Sequence, residues 1–370
     1  MPPLPHDLAD TAIVDAGHRR WITLNPIRQM ERAAMRAYEI KEAIGIEGIV
    51  LNPDRPMPEP GHGEVGIRVR ATSLNYRDLL VAKGIYRGGL KPSAIPLSDG
   101  AGEVVAVGLG VSRFKVGDRV AGTFFMGWLG GAVSAECTAR ALGGVTDGML
   151  AEYVVLPETG AIRIPDRLSF EQAATLPCAG LTAWNAVVET SRVKAGETVL
   201  LLGTGGVSLF ALQFAKLHGA RVILTSSSDD KLARAKALGA DDVINYRDTP
   251  DWDKAVGALT GGRGADLVVE VGGPGTLERS IRSARVGGTV AMIGVVSGAG
   301  QIDPRPLISR AIRLQGIYVG SLEMFVAMNA AVTRTALAPV IDRVFPFEGA
   351  RDTYSHLASG AHFGKVVVTV

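Results

Sequence analysis

Residues 203–208, Gly-Thr-Gly-Gly-Val-Ser, follow directly on the apolar run Val199, Leu200, Leu201 and Leu202. They precede an apolar-rich segment that reaches Leu217 and is closed by Gly219. A buried strand, a glycine turn and a helix fit this order, with a second strand over residues 220–225 behind them. The chemistry such a turn can do is to hold a diphosphate. Glycines let backbone N–H groups approach the phosphate oxygens, and the positive end of the helix dipole faces them. The spacing Gly203-x-Gly205-x-x-Ser208 carries a serine where a third glycine is usual. Context carries the reading instead: strand before, helix after, second strand in place. The expected contacts are Gly203, Thr204, Gly205, Gly206 and Val207.

The type of dinucleotide is read at the end of the second strand. Where the ribose 2′-hydroxyl is free, an Asp or Glu about 20 residues past the glycines binds it. Here the strand ends Thr225-Ser226-Ser227-Ser228, with no carboxylate at its tip. The hydroxyls of Ser226 and Ser227, with the cation of Lys231 one helical turn on, suit a 2′-phosphate that a carboxylate would repel. Tyr246, at the end of the third strand, is placed to pack on the ribose or adenine. Asp229 and Asp230 argue the other way, but their expected role is to cap the next helix through its free N–H groups. The expected cofactor is NADP(H) rather than NAD(H).

Residues 178–312 must supply the frame for these groups. After the first two strands come a helix over 231–238 stopped by Gly239, a strand at 242–245 and a helix at 252–259. A strand over 265–271 leads into Gly272 and Gly273, then a helix covers 277–284 and a fifth strand 288–296. Apolar strands alternating with helices imply an α/β unit whose parallel sheet is covered on both faces. Ligands then sit beyond the C-terminal strand ends, which carry Gly203, Thr225, Tyr246, Gly272 and Gly294.

The flanking regions read differently. Residues 35–177 hold short strands (48–51, 64–71, and others within 96–108, 116–122 and 148–158) punctuated by Gly and Pro, with one short helix at 78–83. This predicts a partly closed β domain. Residues 313–370, with a helix at 324–335, an extended stretch at 343–347 and a strand at 364–370, are expected to complete it. Residues 1–34, with Pro2, Pro3 and Pro5 and mixed charge, look foreign to the rest and are expected to carry no catalytic role.

Composition narrows the function classes. A net charge of +2 across 370 residues leaves no nucleic-acid footprint. Two cysteines, Cys137 and Cys178, make no disulfide framework and fit a reducing cytosol. No apolar run approaches the ~20 residues of a membrane span, and the N-terminus lacks the pattern of a secretory signal. A cytoplasmic chain acting on a small molecule is expected, with neither nucleic acid nor membrane as partner.

The segments SLNYRDLL, SDGAGEVVAVG, VGDRV, LPCAGLTAW, LGTGGVS, INYR, VVEVGG and HFGKVVV together resemble the medium-chain dehydrogenase/reductase superfamily, most of all its zinc-independent quinone oxidoreductase branch. The resemblance covers residues 35–370. It implies a GroES-like, mostly β catalytic domain (35–177 and 313–370) beside a doubly wound Rossmann domain (178–312), assembled as a homodimer or homotetramer. Zinc members of the superfamily place a Cys where this chain has Asn75, a His-Glu pair where it has Ser98-Asp99, and a further Cys at Cys178. A catalytic zinc takes three protein ligands of Cys, His or carboxylate type, and Asn75 and Ser98 are poor ones. The structural zinc lobe needs four closely spaced Cys, and between residues 100 and 160 there is only Cys137. No zinc is expected at either site, and Cys178 reads as a small buried hydrophobe.

The resemblance also places Asn75, Asp78 and Tyr86 beside the nicotinamide and substrate as catalytic residues. Asn75 can donate and accept. Tyr86 is an aromatic wall or a proton donor. Gly294 and Val295 meet the carboxamide through backbone groups, and Gly272 lines the same cleft. Without zinc, the natural acceptor is conjugated, a quinone or an enone, because its developing charge spreads onto a distant oxygen. The expected function is an NADPH-dependent reductase of such acceptors. The alternatives are an alcohol dehydrogenase or enoyl-thioester reductase on the same scaffold, or a non-catalytic NADPH-binding protein.

Overall fold

Strand formation follows burial in the computed structural model, which describes residues 34–86 and 88–370. The expected N-terminal arm lies outside the described residues except for Ala34, which opens the first strand. The β-rich part contributes β1 (Ala34–Ile40), β2 (Ile49–Pro56), β3 (Glu64–Leu74), β4 (Asp99–Val107), β5 (Arg119–Gly122), β6 (Tyr153–Pro157) and β7 (Ala161–Arg163). The alternating part contributes β8 (Thr198–Leu202), β9 (Arg221–Ser226), β10 (Asp242–Asn245), β11 (Ala265–Glu270), β12 (Ala284–Met292) and β13 (Arg313–Gly316). The tail adds β14 (Ile341–Phe345) and β15 (Lys365–Thr369).

β8 and β11 are buried along their whole length, as strands covered by helices on both faces must be. They lie at the centre of a six-stranded sheet of order β10-β9-β8-β11-β12-β13, parallel at every pairing. The strand order reverses between β8 and β11, and the crevice at their C-terminal ends is where such sheets bind ligands. The Gly206–Leu217 helix covers one face by burying Leu209, Phe210, Leu212 and Phe214. Each such side chain contributes about 1.5–3 kcal/mol on leaving water. Gly219, at φ +73°, ends that helix in the left-handed conformation open to glycine.

The second sheet runs β14-β15-β3-β4-β5-β7, with β6 paired to β3. β15 lies antiparallel to β3 and parallel to β14, so the tail adds two strands to this sheet.

Several expectations need correction. β13 is the sixth strand of the parallel sheet, so the sheet continues to Gly316 and the boundary at 312 falls too early. All of its residues are exposed at the sheet edge, which leaves no apolar pattern to read. The fifth strand spans Ala284–Met292 rather than 288–296. The helix after β9 runs Asp229–Ala237 and is capped by the Ser228 hydroxyl, not by Asp229 or Asp230. Those two acids sit in its first turn, where they favour the helix dipole. The helix Ala350–Ala358, whose Tyr354 is fully buried, has no counterpart in the sequence reading. No helix among the described residues is long and apolar enough to cross a membrane.

Candidate active site

The glycine turn is assembled from both domains. Gly203 takes φ +72° and donates its N–H to the Thr225 carbonyl at 2.8 Å, tying the end of β8 to β9. A Cβ on Gly203 or Gly205 would meet nothing within 4 Å, so the space above the turn is open. Gly205 caps the Gly206–Leu217 helix in extended conformation, and the first N–H groups of that helix have no intrahelical acceptor. This is the cradle a diphosphate needs. Ser208 is buried, and its Oγ donates to the Leu202 carbonyl at 2.7 Å. The serine therefore clamps helix to strand, the close packing that a third glycine otherwise permits. From the β domain, the Gly364 N–H donates to the Thr204 carbonyl at 2.9 Å.

At the tip of β9, Ser226 is buried and its Oγ accepts from the Ser228 N–H at 3.4 Å, while Ser227 is half-buried. The Lys231 side chain turns toward the tail, and its Nζ donates to the Gly360 carbonyl at 2.7 Å. Burial lowers the Lys231 ammonium from its ordinary value. Tyr246 is exposed, and its N–H donates to the Ser226 carbonyl at 3.0 Å. Asp229 accepts from Asn245 Nδ2 at 2.8 Å, which occupies the nearest carboxylate.

The ends of β11 and β12 are laced together. Buried Glu270 accepts from the N–H groups of Gly272 and Gly273, at 2.6 and 3.0 Å, and from the hydroxyls of Thr276 and Ser280. Gly294 packs its Cα on the Val271 carbonyl with no room for a Cβ. Both the N–H and the hydroxyl of Ser297 donate to the Gly272 carbonyl at 2.8 Å, and Val295 stands exposed between.

Across the cleft, Asn75 caps the Tyr76–Ala82 helix. Its N–H donates to Asp78 Oδ2 at 2.8 Å, and Arg77 donates to Asp78 Oδ1 at 3.2 Å. Asp78 is 1% exposed. Burial raises its carboxyl, against the opposing charge of Arg77, to about 6. It holds Asn75 and the helix start rather than facing open space. The Arg77 guanidinium lies 4.5 Å from the Tyr86 ring centroid and 5.0 Å from that of Phe124. Burial pushes the Tyr86 phenol well up, and the nearby Tyr318 hydroxyl adds to this. Phe125 meets the Tyr318 ring edge-on at 4.8 Å. Tyr318 is half-exposed and is followed by Val319 at φ +55°, whose carbonyl accepts from buried Asn185 at 2.8 Å. Tyr86, Phe125 and Tyr318 thus form an aromatic wall, linked to the Asn75 cap through Arg77 and Asp78.

Residues 61–166 match the family model described as alcohol dehydrogenase GroES-like domain, and residues 206–334 match the one described as zinc-binding dehydrogenase. A zinc-type alcohol dehydrogenase-like protein of Schizosaccharomyces pombe is 44% identical over 358 residues, 95% of this chain and 99% of that protein. The chain belongs to the medium-chain dehydrogenase/reductase superfamily. A quinone oxidoreductase of Rattus norvegicus is 29% identical over 344 residues, 90% of this chain and 97% of that one. The crystal structure of an NAD-dependent alcohol dehydrogenase, 39% identical, superposes with a TM-score of 0.82 over 91% of this chain and 100% of that one. The protein is accordingly an oxidoreductase of this superfamily.

The zinc in the family description can be tested on the residues that stand where the superfamily's zinc members carry ligands. Asn75, Asp99 and Cys178 converge there with Lys365, the first residue of β15. Lys365 Nζ donates to Asn75 Oδ1 at 2.6 Å and lies 3.9 Å from Asp99 Oδ2. Asp99 accepts from Ser98 Oγ at 2.7 Å and from the Cys178 N–H at 3.2 Å. Burial raises the Cys178 thiol, and the Asp99 charge adds to it. Among the described residues, no group of three or more His, Cys, Asp and Glu is placed to hold a metal. A fixed ammonium inside the cluster opposes a dication, so this donor set does not fit zinc.

The structure thus links Asn75, Asp78 and Tyr86 through Arg77, and sets Gly272, Gly294 and Val295 just beyond the ends of β11 and β12. Sequence reasoning missed Lys365, Glu270, Arg77 and Tyr318. The available signal for Lys365 was a lone charge heading the apolar run 366–368, and for Glu270 a carboxylate closing the apolar run 267–269.

Proposed function

We propose that the protein is an NADPH-dependent reductase that passes a hydride to a quinone or an α,β-unsaturated carbonyl without zinc. One observation carries the reading: a buried lysine ammonium, bonded to Asn75, sits where a zinc dehydrogenase needs its metal ligands. A simple alcohol–ketone pair depends on strong electrophilic help at one oxygen, whereas a conjugated acceptor spreads its developing charge. The aromatic wall of Tyr86, Phe125 and Tyr318 suits a flat, conjugated ring.

The residues fit a dinucleotide. The open cradle over Gly203, Thr204, Gly205, Gly206 and Val207 suits the diphosphate, Ser226, Ser227 and Lys231 the 2′-phosphate, Tyr246 the adenosine, and Gly272, Gly294 and Val295 the nicotinamide end. When bound, the reduced nicotinamide supplies a hydride, two electrons with one proton. Asn75 and Tyr86 orient the acceptor, and Tyr86, kept protonated by burial, can give the balancing proton to the acceptor oxygen and recover it from water. Asp78 and Arg77 hold these two side chains in place.

Stopped-flow mixing of NADPH with 1,4-benzoquinone, 9,10-phenanthrenequinone and a panel of enones tests the reading, with metal analysis alongside. NADPH oxidation above the buffer rate by metal-free enzyme is expected, and none with any acceptor sinks it. A second reading, alcohol oxidation with NAD, is favoured by the engagement of Lys231 with the Gly360 carbonyl and by the dehydrogenase relatives. The same assay run with NAD and alcohols separates the two. The exposed apolar surface around the edge strand β13, with Leu314, Val286 and Ile308, supports assembly as a homodimer or homotetramer.

A further inference from the structure

The two ends of the Asn75 side-chain amide are in different situations. Oδ1 accepts from Lys365 Nζ at 2.6 Å. Nδ2 is buried and has no hydrogen-bond partner. An ammonium carries donors only, so the end of the amide turned toward it has to be the oxygen. A neighbour that cannot accept therefore dictates which way the amide faces.

Lys365 in turn has little freedom. It is 3% exposed, and its Nζ also donates to the Leu74 carbonyl at 2.5 Å. Its stem passes beneath the glycine turn, where a Cβ on Gly206 would come within 2.5 Å of Lys365 Cδ. Asp99, which is fully buried, supplies the countercharge at 3.9 Å and is itself held by Ser98 and the Cys178 N–H. The Asn75 backbone is pinned by Asp78. The amide also lowers the Asp99 carboxyl as a side-chain hydrogen-bond donor does, against the larger effect of burial, but the approach of Nδ2 to that carboxylate lacks the geometry of a made bond. An unmet buried donor costs about 1–3 kcal/mol. Its survival on a half-buried residue, bonded to a lysine that packs against Gly206 of the glycine turn, points to a partner that arrives with the reactants.

We propose that Lys365 is a positioning residue that locks the Asn75 amide with Nδ2 as hydrogen-bond donor to a carbonyl oxygen of the reactants. The inference rests on the reductase reading for the source of that oxygen, either the acceptor, where negative charge develops, or the nicotinamide carboxamide. The positive charge on Oδ1 polarises the amide and strengthens its N–H groups as donors.

The test is a double-mutant cycle on the full chain. Asn75→Ala, Lys365→Met, Lys365→Arg and Asn75→Ala/Lys365→Met are compared by kcat and KM with 9,10-phenanthrenequinone and by NADPH Kd from fluorescence. Asp99→Asn/Lys365→Met removes both charges and serves where Lys365→Met alone does not fold. Loss of Asn75 should lower kcat about 100-fold, as for a donor aimed at developing charge. Lys365→Met should lower it comparably, the double variant no further, and Lys365→Arg should recover part of the rate. An unchanged NADPH Kd assigns the oxygen to the acceptor, and a matched rise in Kd assigns it to the carboxamide. A folded Lys365→Met or Asp99→Asn/Lys365→Met enzyme with kcat within about twofold of wild type overturns the proposal, as do losses that multiply in the double variant. If the wild type reduces no acceptor, the reductase reading fails by itself. The NADPH Kd of the same variants then decides: non-additive weakening supports Lys365 acting through Asn75, and unchanged Kd overturns it.

Discussion

The two ends of the cleft are built on opposite principles. At the tips of β9 and β10, Ser227 and Lys231 are half-buried and Tyr246 is exposed, with the Lys231 ammonium and the Tyr246 N–H held by backbone carbonyls. At the other end, Asp78, Arg77, Asp99 and Lys365 are all buried and hold one another through charge. On the function proposed above, the difference follows from what each end has to meet. A nucleotide phosphate brings its own full charge, so half-exposed cations and hydroxyls suffice. Charge that exists only during a reaction is stabilised by dipoles already desolvated and aimed. Burying the groups that aim them is tolerable only if every charge is matched.

That contrast can be broken, beginning with its largest consequence. Asp99→Asn leaves the Lys365 ammonium buried without its countercharge and should cost about 3–5 kcal/mol of stability in urea unfolding. A loss near that of a surface substitution would erase the distinction between the two ends. Next comes pH. Asp78 binds its proton more tightly in the folded chain, near pH 6, than at its ordinary 3.8. Its contribution is therefore fully present below about pH 4 and lost as pH rises through 6. Over that window the wild type should lose on the order of 2 kcal/mol relative to Asp78→Asn, read from paired denaturation curves at pH 4, 5, 6 and 7. A constant gap would mean that burial does not govern this carboxyl.

Smaller effects sharpen the nucleotide end. Lys231→Ala should raise KM for NADPH about tenfold, worth about 1.4 kcal/mol, while leaving KM for NADH and the melting temperature nearly unchanged. Equal changes for both cofactors would refute the phosphate role. Smallest of all, Ser228→Ala removes the cap of the Asp229–Ala237 helix and should cost about 1 kcal/mol with no change in cofactor preference, while Asp230→Ala should cost less. The reverse ranking would restore the aspartates as caps.

Legibility differed between the two ends for the same physical reason. The glycine turn, the serine tip and the alternating strands are local patterns, with all their determinants within a few residues of one another. The sheet, its order around β8 and the return of β15 to β3 followed from them or from the family resemblance. Lys365 is 290 residues from Asn75 and sits on a strand whose pattern reads as plain core, so nothing near it in the chain announces its partner. The Asp78 cap is local, and a carboxylate three residues into a helix can be recognised as one. Its burial beneath Arg77 and Tyr86 is not local. β13 escaped detection because an exposed edge strand carries no apolar alternation, and Ser228 because the two acids after it are equally good caps by type.

By itself the sequence determined that this chain builds a parallel α/β sheet with a dinucleotide turn, lacks the cysteines of a structural zinc lobe, and joins its last strand to its first domain. Those properties depend on short-range periodicity, glycine placement and residue type. Only the tertiary structure decided that the locus of the zinc ligands is filled by an ammonium, that the Asn75 amide faces it with its oxygen, and that Tyr318 completes an aromatic wall with Tyr86 and Phe125. Those are outcomes of long-range packing, in which the burial of each charge depends on a countercharge brought from elsewhere in the chain.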